Sequence, residues 1–201
     1  VAALNPPPGC ALLITSRSPI SLSTSVTLDP LSAEESVAFL ASACPRLARS
    51  AFTSEIADLC DRQPFALEIA AGHLLHNRSE PIEEYVGKLK TDRLQQLAAS
   101  AGTDSCLSVE TVFSTSLERL SDAHRQALRL LSVMPSDFSR DAGINVANCD
   151  GKILDDLVGA KLLMFRDAES RFATHDLVRE ISGKQLSDSE QQMARERHAF
   201  Y

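Results

Sequence analysis

Eight glycines are spread over the 201 residues, and none stands in the G-x-x-x-x-G-K-[ST] arrangement that lets a glycine-rich turn wrap phosphate. Gly87-Lys88, Gly151-Lys152 and Gly183-Lys184 each lack both the upstream glycine and the following Ser or Thr. No apolar strand ends in paired acids that could hold a metal. The chain alone is therefore expected not to be an enzyme that hydrolyses ATP or GTP. Also missing is any Cys-x-x-Cys pair: cysteines stand singly at 10, 44, 60, 106 and 149, as reduced thiols of a cytosolic protein would. No apolar run approaches the roughly 18 to 20 residues of a membrane span, and the opening Val-Ala-Ala-Leu-Asn-Pro-Pro-Pro has no charged leader. A cytoplasmic protein without a membrane segment is expected. A basic excess is lacking too. Against 27 Asp+Glu stand 20 Lys+Arg, a formal charge of -7 that repels nucleic-acid phosphates, and only Arg195, Arg197 and His198 cluster loosely.

What is present is helical periodicity with strand-like edges. Ala11 to Thr15 is a short apolar run bounded by turn signals, and Ser25 to Leu28 is a second, closed by Asp29-Pro30. Two strands cannot bury both their faces, so they are expected to belong to a sheet whose other strands lie outside this sequence. From Ser32 the period becomes helical: Ser32 and Glu35 form a capping box ahead of Val37, Leu40 and Ala41. A second helix carries Ile56, Leu59 and Cys60. A third opens with Pro64, at a position that needs no N–H, and continues through Ala66, Leu67, Ala70 and Leu74. A fourth starts near Pro81. These four make a small bundle.

Lys90 to Asp104 has the composition of a linker, which places a domain boundary there. Beyond it the pattern predicts a helix with Val109, Val112, Phe113, Leu117 and Leu120, a second capped by Ser121 and closed by Pro135, and a third capped by Asp150. Strand-like runs Leu162 to Arg166 and Arg171 to Thr174 follow, and a last helix begins near Asp176, read as its N-cap. Three helices and a hairpin spell a winged helix.

The expected class is thus mostly α: a strand remnant at 1–30, a four-helix bundle at 31–103, a winged helix at 104–188, and the start of a helical linker or repeat region at 189–201. The opening without Met and the ending at His198-Ala199-Phe200-Tyr201 suggest a piece of a longer chain. His73 and His76, three apart on a helix with Cys60 upstream, have metal-ligand residue types but read as surface or partly buried histidines. No local signature selects a Cys–His catalytic pair. A winged helix can bind DNA, but Asp155 and Asp156 on its third helix, and Asp167 and Glu169 in its wing, oppose phosphate contact.

Three short features recur in order: Thr15-Ser16-Arg17 at a strand end, Cys60-Asp-Arg-Gln-Pro64-Phe-Ala-Leu67 entering a helix, and Thr174-His175-Asp176-Leu177-Val178-Arg179 at a strand-to-helix junction. With Pro7-Pro8-Gly9-Cys10 and Leu28-Asp-Pro-Leu-Ser-Ala-Glu-Glu-Ser36, this series resembles the back half of NB-ARC domains of the STAND class of signalling NTPases. The bacterial branch, with downstream tetratricopeptide repeats, is the nearest in pattern. The resemblance implies that Arg17 senses the γ-phosphate, that Pro64 packs by adenine, and that His175 reaches the β-phosphate of ADP in the inactive arrangement. It implies ADP or ATP with Mg in an intact parent and no nucleotide held tightly by this fragment. Its implied partners are a P-loop domain of the same chain, tetratricopeptide-type repeats downstream, and further copies on activation. Asp61-Arg62-Gln63 replaces the family's usual Gly-Gly-Leu, and Thr174 its usual Met. A DNA-binding winged-helix regulator and a plain helical interaction module are the rival expectations.

Overall fold

The computed structural model describes residues 9–14, 26–99 and 107–200, and they are mostly helical with one small antiparallel pair of strands. The described parts of the two N-terminal strand segments, 11–14 and 26–28, form no strand. Leu13 and Leu28 are about nine-tenths exposed. A strand without a neighbour leaves its N–H and C=O groups unpaired, so these apolar residues gain nothing from being extended.

Helix α1 (Ala33–Ala43) starts at the expected capping box: Ser32 Oγ accepts from the Glu35 amide, and Glu35 returns a carboxylate to the Ser32 amide at 2.8 Å. A short 3-10 turn (Leu47–Arg49) leads to α2 (Thr53–Leu59). Helix α3 (Pro64–His76) carries Pro64 in its first turn, as its missing N–H allows. It is apolar nearly all round, because it is the central helix, packed by α1, α2 and α5. Helix α4 runs Ile82–Ala99.

That length corrects the expected linker, since 90–99 is helical. The side chains there have tertiary partners that local composition cannot show: Lys90 pairs with Glu55, Arg93 with Asp61 and the Leu59 carbonyl, and Asp92 accepts from Thr115. The expected boundary after 103 falls in 100–106, outside the described residues. Helix α5 (Leu107–Glu118), beyond it, packs on α3 and α4.

One buried charge cluster ties these helices. The Glu80 side chain, 2% exposed, accepts from Lys88 at 2.7 Å, Arg119 at 2.9 Å and His73 Nε2 at 2.6 Å. Arg46 donates to the carbonyls of Leu74, Asn77 and Glu80, satisfying groups freed at the end of α3. Burial opposes the charge on Glu80, but the hydrogen bonds from Lys88, His73 and Arg119 outweigh it and hold the carboxyl down to about 2. Burial likewise pushes the His73 pKa below the ordinary imidazole value, keeping the ring neutral with its proton on Nε2 facing Glu80.

The second group opens with α6 (Asp122–Leu131), capped by Ser121 as expected. Helix α7 (Arg140–Ala147) is absent from the sequence expectation, although Ser139 caps it and Asn148, at φ +49°, stops it in the left-handed region. Helix α8 (Gly151–Gly159) uses the expected cap Asp150. Strands β1 (Met164–Arg166) and β2 (Arg171–Ala173) pair antiparallel with Phe165 opposite Phe172. Phe138 bridges the far side of β2 through two backbone bonds, and Asp137 binds Arg166 and Arg171. Helices α9 (Asp176–Gly183) and α10 (Asp188–His198) follow, and α10 packs on α6 and α7. Buried apolar side chains form one continuous cluster across both groups.

Candidate functional site

The two groups face each other along one stripe of α3. Residues 65, 68, 72 and 76 fall on a single helical face, and each meets the second group. The Phe65 ring stacks on His175, centroids 3.7 Å apart and planes 14° from parallel. Glu68 stands 3.7 Å from Lys161. Gly72 lies beneath Lys161 and Ala160, and His76 lies beside Gly159. Lys161 itself is held at φ +61° as the chain turns from α8 toward β1.

His175 occupies the seam's upper end. It is the N-cap of α9, with extended backbone, and its Nδ1 accepts from the Leu177 amide at 3.2 Å. This corrects the expectation that Asp176 would cap: Asp176 is the first helical residue, exposed, and paired with Arg179 at 2.6 Å. A carboxylate in the first turn still complements the free amides. Because the Leu177 N–H can only donate, Nδ1 must be the acceptor, and the proton of the neutral ring lies on Nε2. Burial pushes the His175 pKa down from the usual imidazole value, while Asp176 and Glu68 pull it up, and burial prevails. The ring is therefore a neutral N–H donor. Thr174 beside it is half-buried, and its hydroxyl has no partner among the described residues, consistent with a side chain that packs.

Pro64 adjoins this stack as the exposed first residue of α3. The turn leading into it is built by Asp61 and Arg62, both left-handed at φ +48° and +55°. These are backbone angles that glycine adopts freely and other residues adopt at a cost. Asp61 and Arg62 thus hold a glycine-type backbone. It persists because the Arg62 amide bonds the Ala57 carbonyl, Leu31 donates to the Arg62 carbonyl, and Arg93 grips Asp61 at 2.7 Å.

Two of the three sequence-derived site residues, Pro64 and His175, are brought to adjoining helix starts; Arg17 lies outside the described residues. Phe65 is not among the site residues the sequence points to; its one local signal is an aromatic residue directly after the helix-opening proline. The histidine pair on α3 does not converge. His73 is buried against Glu80, whereas His76 is exposed, and Cys60 is buried with its thiol pKa pushed far up. Among the described residues no group of three His, Cys, Asp or Glu could hold a metal ion. No family model matches the chain, and no curated protein is significantly similar to it.

Proposed function

We propose that this chain is the regulatory portion of a STAND-class, NB-ARC-type nucleotide switch, with α1–α4 as its helical subdomain and residues 104–188, from α5 to α9, as its winged-helix subdomain. The observation that carries the reading is the Phe65–His175 stack. It sets a neutral imidazole donor on α9 beside the Pro64 turn of α3, two features that the sequence resemblance links to one nucleotide.

The residues present fit ADP in part. His175 would donate from Nε2 to a terminal phosphate oxygen, and the exposed ring of Pro64 would lie against the base. Arg17 would complete the set for ATP and Mg together with a P-loop domain of the same parent chain. In that reading ADP holds the second group against α3, and its exchange for ATP frees the group and permits oligomerisation. Moving such an equilibrium requires only differential affinity between the two states. Against the DNA-binding alternative stand the acids of α8: Asp155 is exposed and tied to Arg140, and Asp156 approaches His124.

The test is calorimetric ADP affinity of the full-length parent with and without His175→Ala. Loss of a hydrogen bond to a charged phosphate predicts roughly 10-fold to 100-fold weaker binding. Unchanged affinity would remove His175 from the site. The present chain alone is expected to bind ADP weakly or not at all.

A further inference from the structure

We infer that Phe65 is the positioning residue of His175: its ring fixes the plane of the imidazole and keeps the ring proton on Nε2, directed away from the α9 cap.

The nearly parallel stack, 3.7 Å between centroids, covers one face of the imidazole and leaves the ring no freedom to turn about its long axis without losing that contact. With the plane set, Nδ1 lies at 3.2 Å from the Leu177 amide, and the tautomer follows from that single bond. Protonation would bring two opposed effects. An imidazolium gains from the face of the phenyl ring. It also puts a proton on Nδ1 opposite the Leu177 N–H, which removes the cap and aims two donors at each other.

The charged groups around the ring are few and mostly paired. Asp176 on α9 is bonded to Arg179, and Glu68 on α3 stands by Lys161. His76, two turns beyond Glu68 on the same face, is the other titratable group of the seam. None of these orients the ring; Phe65 touches it directly. A leucine would fill space at this position but has no face to stack, so a role in packing alone and a role in positioning make different forecasts.

The inference depends on the nucleotide reading only for what the donor serves. The measurement is 15N NMR of the five histidine rings in the whole chain, with the His175 signals assigned by His175→Asn. The wild-type ring is expected to be a pure Nε2–H tautomer titrating below 6.5. In Phe65→Leu the midpoint should move up toward 6.5 and an Nδ1–H population should appear, and the same should hold in a Glu68→Gln background. Phe65→Tyr should restore both signatures. A wild-type ring protonated on Nδ1, or a Phe65→Leu ring indistinguishable from wild type, would overturn the inference. Phe65→Met serves the same comparison should the leucine variant fail to fold. In the full-length parent, Phe65→Leu should weaken ADP binding several-fold. An ADP affinity that ignores His175→Ala while Phe65→Leu still shifts the tautomer would sink the nucleotide reading and leave the positioning role standing. If affinity falls with His175→Ala but the tautomer ignores Phe65→Leu, the reverse holds.

Discussion

Gly72 passes directly beneath Lys161. A Cβ on Gly72 would fall inside van der Waals contact with Lys161 Cγ, 2.9 Å from its Cβ and 3.2 Å from the Ala160 carbonyl oxygen. The end of the lysine chain could swing aside, but its Cβ and the carbonyl are fixed to a backbone held at φ +61°. Gly72→Ala gains about 1 kcal/mol of helix propensity and loses more to this overlap, for a net destabilisation of about 1 to 2 kcal/mol. Lys161→Gly removes the obstruction and relieves the left-handed backbone, while giving up only a half-exposed ion pair of little worth. Urea unfolding of the double variant should therefore recover most of the loss. Simple additivity of the two single variants would show that the overlap is not the cause.

The Glu80 cluster predicts acid sensitivity with a definite sign. Its carboxyl is held at about 2 against an ordinary 4.5, so its stabilisation is fully present above about 4.5 and is lost as pH falls from there through 2. The shift corresponds to about 3 kcal/mol at neutral pH. Glu80→Gln should be less stable than wild type by about that amount at pH 7 and nearly equal to it near pH 2. Denaturant midpoints across this range check the point. Two parallel curves would assign the acid loss to other carboxylates.

Helix starts were legible in the sequence because caps are local. Ser32 with Glu35, Pro64, Ser121 and Asp150 announce themselves within a few residues. The continuation of α4 to Ala99 was not legible, because Lys90, Asp92 and Arg93 look like linker residues until Glu55, Thr115 and Asp61 come up against them. Helix α7 is hard to see in the sequence despite a Ser139 cap and an Asn148 stop, since its few apolar residues make a weak stripe. At the site, residue type favoured Asp176 as the cap, yet the extended backbone fell one residue earlier and an imidazole nitrogen took the role. The contact between Phe65 and His175 joins distant parts of the chain, and nothing in either local pattern encodes it.

Arg62 sits exposed at φ +55°, and its side chain makes no hydrogen bond among the described residues. Arg62→Gly should therefore stabilise the fold by about 0.5 to 1 kcal/mol, the left-handed strain relieved less the added freedom of the unfolded chain. Thermal unfolding should show a small rise in midpoint. Asp61→Gly, at φ +48°, should not, because it surrenders the Arg93 bond along with the strain. A fall in both variants would mean that the turn is not strained.

The stripe on α3 faces one way and the buried core positions Leu67, Ala70 and Leu74 face another. Exchanges at 65, 68, 72 and 76 therefore act on the contact between the two groups without touching the face that holds Leu67, Ala70 and Leu74 in the core. One helix thus presents two surfaces that sequence change can adjust separately.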